Sequence, residues 1–293
     1  MPRSSMVLIF SLLSSIASVT SPVHADPGQS ANGIYYGEPV SMGDGTIRTY
    51  LALDAAELPM ELGVLMSGDA LDGLPTERST SGRCFDLNGN GRIDDHGECE
   101  GGYDFVLALP SVAARRSDLP VKWVGVDWQV EGHIPPGVYD LPHFDFHFYL
   151  VSEESVQAIG VGPCGIFMDC ALFERATQPV PEKYVDHRHV SVGAAVAMMG
   201  NHLIDMTSPE FAKPPEKFTH TWIFGAYDGR ITFYEPMITR EFFMSHPNSC
   251  APIKQPKAWQ VAGYYPTRYC IRYHQRANKY TVSLEGLEYR NAE

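Results

Sequence analysis

The chain has 293 residues, of which 44% are hydrophobic, and a formal net charge of −13 at pH 7. An acidic chain repels the phosphate backbone of nucleic acids, and no basic stripe reverses this locally, so the composition argues against a nucleic-acid partner. The length suffices for one large domain or two small ones.

The first 25 residues have the pattern of a secretory signal peptide. Arg3 precedes an apolar run at 6–19 that is too short and too rich in serine to span a bilayer, and small residues occupy the cleavage positions at 23–25. We therefore predict that residues 1–25 are removed and that the mature protein is exported to the periplasm or the extracellular space. No later segment is apolar enough for a membrane span, so we expect a soluble protein.

Strand patterns dominate the remaining sequence. The predicted strands and hairpins, in chain order, are 33–53, 103–110, 121–130, 138–151, 218–236 and 259–289. Short helices are predicted at 153–159, capped by Ser152, and at 240–246, capped by Thr239. The sequence predicts a single mainly-β domain over residues 26–293, a sandwich or barrel with a few short peripheral helices.

The segment 84–99, CFDLNGNGRIDDHGEC, has the ligand spacing of an EF-hand calcium loop. Oxygen-bearing side chains occupy alternate positions, and Gly91 stands where such a loop turns sharply. The final acid arrives one residue late, and no long amphipathic helices flank the segment. We predict an isolated calcium loop, inserted in the domain, with ligands from Asp86, Asn88, Asn90, the Arg92 carbonyl, Asp94 and Glu98. The alternative is a solvated loop that only a disulfide holds.

The six cysteines predict disulfides. Their number is even in a chain with a signal peptide, and none of them forms a CxxC pair, which favours disulfides over metal thiolates. Six cysteines allow about fifteen pairings. Their clustering along the sequence favours the local pairs Cys84–Cys99, Cys164–Cys170 and Cys250–Cys270.

The stretch PHFDFHFY, residues 142–149, alternates ionisable and aromatic side chains. In a strand, His143, Asp145 and His147 share one face, and the intervening phenylalanines share the other face, which we expect to meet the core. Ionisable groups buried without partners would be costly, so the polar face requires a role.

A metal site would supply that role. Residues i and i+2 in a strand lie about 6.6 Å apart, so Asp145 can share a metal with a neighbouring histidine or can instead orient one. Further donors are His202 in MGNHLID and Glu235 at a strand end. The sequence predicts a divalent transition-metal site, with the metal left open, formed by His143, Asp145, His147, His202 and Glu235. Because imidazole binds metal only when neutral, affinity should fall as the pH drops through about 6.5.

Three motifs, PGVYDLPHFDFHFY, MGNHLID and YDGRITFYEPMIT, occur in this order at wide spacing. Together they resemble an exported bacterial family of unknown function that includes a Thermus protein controlled by the sigma-E system. The resemblance covers residues 33–250 apart from the insertion at 84–99, and it highlights the same five predicted metal ligands. The resemblance implies a homo-oligomeric assembly. It implies no reaction, because none is established for the family.

Two functions stay open at this point. In the first, the protein is an exported metal-binding protein that carries out metal-assisted hydrolysis or small-molecule redox chemistry. In the second, it is a non-enzymatic, calcium-stabilised secreted protein for binding or assembly, and the His-Asp-His stretch is a structural hydrogen-bond network. The sequence does not identify a small-molecule ligand.

Overall fold

A computed structural model describes Met1, residues 33–94 and residues 96–293. Apart from Met1, the predicted signal peptide at 1–25 lies outside the described residues. No helix in the described part of the chain is long and apolar enough to cross a membrane.

The described chain is mainly β. The strands are β1 (Ile34–Tyr36), β2 (Val40–Met42), β3 (Gly45–Leu53), β4 (Pro59–Ser67), β5 (Tyr103–Ala108), β6 (Trp123–Gln129), β7 (His143–Tyr149), β8 (Val161–Cys164), β9 (His189–Val196), β10 (Gly200–Asp205), β11 (His220–Tyr227), β12 (Arg230–Thr239), β13 (Asn248–Pro252), β14 (Gly263–Tyr265), β15 (Arg268–His274), β16 (Lys279–Glu285) and β17 (Glu288–Arg290). The α-helices are α1 (Ser111–Ala114), α2 (Glu153–Gln157), α3 (Cys170–Ala176) and α4 (Arg240–Met244).

Two seven-stranded antiparallel sheets pack as a sandwich. The first sheet has the order β1-β3-β4-β16-β15-β13, with β2 paired to β3. The second has the order β5-β6-β7-β12-β11-β10-β9, so β7 and β12 are inner strands. The mainly-β sandwich with few short helices that the sequence predicts is confirmed.

The turn between β11 and β12 shows how local sequence sets this topology. Asp228 and Gly229 have φ angles of 54° and 69°. Positive φ at both central residues gives a two-residue turn whose twist matches the flanking strands, and Asp-Gly is a sequence typical of it. This hairpin, together with the β-bulge between Gly225 and Ala226, sets the register that places Glu235 opposite Ile223.

The core lies between the two sheets. Phe144, Phe146 and Phe148 of β7 are fully buried, and they belong to one apolar cluster with Leu51 and Val282 of the first sheet. The phenylalanines therefore face the core, as the alternation predicts. The side chains that alternate with them lie on the other face of the second sheet, away from the first sheet.

The structure differs from the sequence prediction at several elements. The strand predicted at 138–151 spans only His143–Tyr149, because residues 131–142 form an irregular segment that covers the outer face. Strands β4, β8, β9, β10 and β13 and helices α1 and α3 were not predicted. Asp169 begins α3, where its carboxylate accepts hydrogen bonds from the backbone N–H groups of Ala171 and Leu172. The predicted helices begin at their predicted caps, Ser152 and Thr239.

All six cysteines form disulfides, in the three pairs that the sequence clustering favours. They are Cys84–Cys99, Cys164–Cys170 and Cys250–Cys270. The first disulfide closes the predicted calcium loop. The last joins directly opposed residues of β13 and β15.

Candidate metal centre

The polar face of β7 is buried, although it lies on the outer side of the sandwich. His143, Asp145 and His147 are each at most 2% exposed. The covering segments exclude water from a row of groups that water would otherwise solvate. Each group must therefore find its partners within the protein.

His147, His202 and Glu235 converge and form what we call the His147 cluster. Their nearest ligand atoms all lie within 4.8 Å of one another. Oε1 of Glu235 lies 3.5 Å from Nε2 of His147, and Oε2 lies 3.5 Å from Nε2 of His202. Three of the five predicted ligands therefore meet at one point.

The sheet geometry explains how His202 reaches this point. His202 lies on β10 and Glu235 on β12, with β11 between them. The β11 residue opposite His202 is Gly225, which has no side chain to block the crossing. The Phe233 ring fills part of this space, since a Cβ at Gly225 would lie 2.1 Å from it. That ring packs against both His147 and His202, with centroids 5.0 and 5.1 Å apart.

Hydrogen bonding sets the tautomer of His202. Its Nδ1 lies 2.9 Å from the carbonyl oxygen of Ala194. Because a carbonyl only accepts, Nδ1 of neutral His202 carries the proton, and Nε2 presents a lone pair towards Glu235. A metal-binding histidine is commonly held this way by its second nitrogen.

Asp127 on β6 occupies the equivalent position beside His147. Its Oδ2 lies 3.0 Å from Nδ1 of His147, but the two are not aligned as a hydrogen bond. The sequence offered Asp145 as a possible orienter of a neighbouring histidine. The structure places Asp127 at Nδ1 of His147, a position that sequence spacing does not reveal because the two residues come from different strands.

Burial shifts the protonation of the His147 cluster towards neutrality. Desolvation lowers the pKa of His147 to about 4 and that of His202 to about 3, so both rings are neutral at ordinary pH. Desolvation and the nearby Asp145 carboxylate raise the pKa of Glu235 well above its usual range. Oε2 of Glu235 and both ring nitrogens of His147 have no hydrogen-bond partner. Such orphaned buried atoms are costly, and a cation between Nε2 of His147 and Glu235 would satisfy those two, whereas Nδ1 of His147 faces Asp127.

His143 and Asp145 do not join the His147 cluster. They converge instead with His133, a residue that the sequence did not predict, and we call these three residues the His133 cluster. Nε2 of His143 lies 3.0 Å from Oδ1 of Asp145, and Nε2 of His133 lies 3.4 Å from Oδ2. The single five-residue site expected from sequence is therefore two groups, because His143 and His147 are too far apart along a regular strand to share an ion.

A buried ionic network lies beside the two clusters. The Arg83 side chain is 5% exposed, and its Nη2 lies 3.0 Å from Glu100, 2.6 Å from Asp104 and 3.6 Å from Asp127. These acids raise the pKa of Arg83 further, against the opposing effect of burial. Since Arg83 precedes Cys84, the network joins the base of the disulfide loop to Asp127, which lies beside His147.

Both clusters open onto one cavity of about 500 Å³. His133, Asp145, His147 and His202 all contribute to its wall. The rest of the lining is mostly apolar and comes from the segments that cover the outer face and from the second sheet; it includes Ile134, Pro136, Ile166, Phe167, Val196 and Met199. A small molecule in this cavity would reach both groups of donors.

The predicted calcium ligands form a compact loop. Asp86 accepts hydrogen bonds from the N–H groups of Asn90 and Gly91, and Glu98 accepts from those of Asn88 and Asp94. The side chains of Asn88 and Asn90 each accept a further backbone bond, Asn90 from Arg92. Calcium binding here stays a prediction.

The remaining convergent group, Cys250, Cys270 and Glu285, offers no thiolate because its sulfurs form a disulfide.

Comparisons with protein-family models, with curated proteins and with solved structures find no match to this chain. The family resemblance inferred from the motifs therefore stays a prediction. What is known of the site rests on its geometry: two His/carboxylate groups that could each hold a metal ion.

Proposed function

We propose that this protein is an exported metalloprotein that binds a divalent transition-metal ion through His147, His202 and Glu235 and acts on a small molecule in the adjoining cavity. The observation that carries the proposal is the buried convergence of three donor atoms within 4.8 Å, with orphaned polar atoms on His147 and Glu235. Buried polar groups of a purely structural network would be paired with one another.

The donor set favours a site with exchangeable positions over a closed structural one. Two imidazoles and one carboxylate are three protein ligands, and structural zinc sites use four, whereas catalytic sites keep a position for water or substrate. His147 and His202 line the cavity, so that position would face it. A metal held there would supply Lewis acidity and would lower the pKa of a bound water.

The cavity indicates what kind of molecule would bind. Apart from the two clusters, the walls are mostly apolar and include Ile134, Pro136, Ile166 and Phe167. Pockets of this composition hold the apolar body of a ligand, while a few polar groups orient its reactive end. We infer a small organic substrate with a polar, metal-binding end, and a hydrolytic reaction fits this arrangement.

Export and assembly are parts of the same proposal. Three disulfides are typical of proteins that fold in an oxidising compartment, such as the periplasm or the extracellular space. The homo-oligomer that the family resemblance implies can be checked by light scattering on the purified protein. A monomer at all concentrations would contradict it.

Metal analysis tests whether the protein binds a transition metal. The protein is expressed without a tag and with its own export signal, and it is purified without chelators. We expect a stoichiometric transition metal. His147→Ala and His202→Ala should each lose the ion held by the His147 cluster, because each removes one of only three protein ligands. His187→Ala is the matched control, because the His187 side chain is 85% exposed and lies outside both clusters.

The alternative function predicts a different result. If the histidines form a structural network, the purified protein contains no transition metal and takes none up when it is offered. The same variants would then lower thermal stability without changing metal content. Either result would overturn the proposal.

A further inference from the structure

We infer that the His133 cluster is a second transition-metal site, so that the cavity wall holds two ions. The ligands are Nε2 of His133, Nε2 of His143 and the carboxylate of Asp145. The inference extends the proposed function but does not depend on it, because the two clusters share no residue.

Hydrogen bonds to the backbone fix both histidines in the tautomer that a metal requires. Nδ1 of His143 lies 2.6 Å from the carbonyl oxygen of Leu141. Nδ1 of His133 lies 2.8 Å from the carbonyl oxygen of Ile134. Since carbonyls only accept, both Nδ1 atoms carry protons, and in the neutral rings both Nε2 atoms are left with lone pairs.

If both rings are neutral, the two Nε2 lone pairs lie at hydrogen-bond distance from each other with no proton between them. The Nε2 atoms of His133 and His143 are 3.1 Å apart, and Asp145 brings a third electron-rich group to the same point. Two lone pairs and a carboxylate at this separation repel one another unless a positive charge lies among them. Only a proton or a metal cation can supply that charge. In the metal-free protein a proton does so, because, against the lowering effect of burial, the Asp145 carboxylate raises the pKa of His133 to about 9. A metal ion would displace this proton and would also satisfy Oδ1 of Asp145, which has no hydrogen-bond partner.

The position of the His133 cluster in the fold would allow a metal ion to exchange with solvent. His143 and Asp145 are rigidly held on an inner strand, whereas His133 belongs to the covering segment at 131–142, and its side chain is 25% exposed. A metal could therefore enter from the side of His133. The donor set of two imidazoles and one carboxylate is the same as in the His147 cluster, and it suits zinc, iron, manganese, cobalt or nickel rather than calcium or magnesium.

The test counts bound ions in apo protein reloaded with Co²⁺ or Zn²⁺ and passed through a desalting column. We expect two ions in the wild type, one in His133→Ala, one in His147→Ala and none in the double variant. His133→Ala is preferred to changes at His143 or Asp145, because a residue that is 25% exposed and lies outside the strands can be removed with the fold intact. Circular dichroism checks that the variants are folded. His187→Ala is the control for removing a histidine that lies outside both clusters.

Cobalt absorption provides a second readout. The visible d–d bands should lose one component in His133→Ala and a different one in His147→Ala, because each variant removes a different ion. A proton-bridged network would give no band that depends on His133.

The outcomes separate this inference from the proposed function. One ion that His147→Ala removes and His133→Ala leaves in place would overturn the second site and support the first. One ion that both variants remove would also overturn it, because the ion would be shared. One ion that only His133→Ala removes would support the second site and contradict the first. No ion in the wild type would contradict both.

Discussion

Glu235 is the residue whose state would change most when a metal binds. It lies on an inner strand at 1% exposure between two neutral imidazoles. Its raised pKa means that the metal-free carboxyl keeps its proton well above the usual carboxyl range, whereas a ligand carboxylate must be ionised. Metal binding would therefore displace a proton from Glu235 rather than from a histidine.

This displacement predicts the pH dependence of binding. Between about pH 5 and the raised pKa of Glu235, the free cluster holds one proton more than the bound cluster, so affinity should rise about tenfold per pH unit. His147 and His202, with pKa values of about 4 and 3, are already neutral there and contribute nothing. Calorimetry of the His133→Ala variant in buffers of different ionisation enthalpy should show one proton released per ion.

The control for this measurement is Glu235→Gln. The amide cannot release a proton, so the variant should bind more weakly and without pH dependence above about pH 5. A wild-type affinity that falls only near the ordinary histidine range of about 6.5, as the sequence alone suggested, would mean that the histidines are not desolvated in this way.

At the scale of single elements, regular strands were predictable and the covering segments were not. The alternation of β7 gave the correct face for His143, Asp145 and His147, because a strand has a fixed period of two. No alternation of polar and apolar residues surrounds His133, because it lies in the irregular segment at 131–142. The contact between Asp127 and His147 could not be predicted for a different reason. It depends on the pairing of β6 with β7, which cannot be read from the sequence.

The loop closed by Cys84–Cys99 carries its own prediction. The carboxylates of Asp86 and Glu98 accept backbone hydrogen bonds within this tight turn, which holds the loop in a compact form. If calcium binds the folded loop as predicted, it should raise the melting temperature by mass action. Asp86→Ala should abolish that gain and leave the transition-metal content unchanged. Melting curves in millimolar calcium and in EGTA measure the effect. Identical curves for the wild type would leave only the solvated, disulfide-closed loop.

For the whole molecule, composition and pattern were enough to predict a mainly-β sandwich. They could not predict that its second sheet is covered on both faces, by the first sheet on one side and by irregular segments on the other. The extra layer is visible in separate apolar clusters on the outer face, such as the one that contains Tyr139, Ile223 and Met237. That layer is what turns an exposed polar strand face into a buried site.

This layering predicts that stability and metal binding respond to different substitutions. Phe146→Ala empties a fully buried position between the sheets and should lower the free energy of unfolding by about 3–5 kcal/mol. The folded variant should retain its metal content, because Phe146 faces away from both clusters. Phe233→Ala, on the outer face, should weaken metal binding because its ring positions His147 and His202. Denaturant titration and metal analysis of the two variants test the separation, and loss of metal from folded Phe146→Ala would contradict it.

The two-sided character of β7 also sets how this gene can change in length. Deleting or inserting one codon within 143–149 would reverse the facing of the strand residues on one side of the change, so that phenylalanine rings would turn into the cavity and ionisable groups into the space between the sheets. The segment at 131–142 carries no strand pairing, so a change in its length would leave the rings in place and would act on the cavity and on the position of His133. Length variation among natural variants should therefore fall in that segment and alter the shape of the cavity, while the codon count of β7 stays constant.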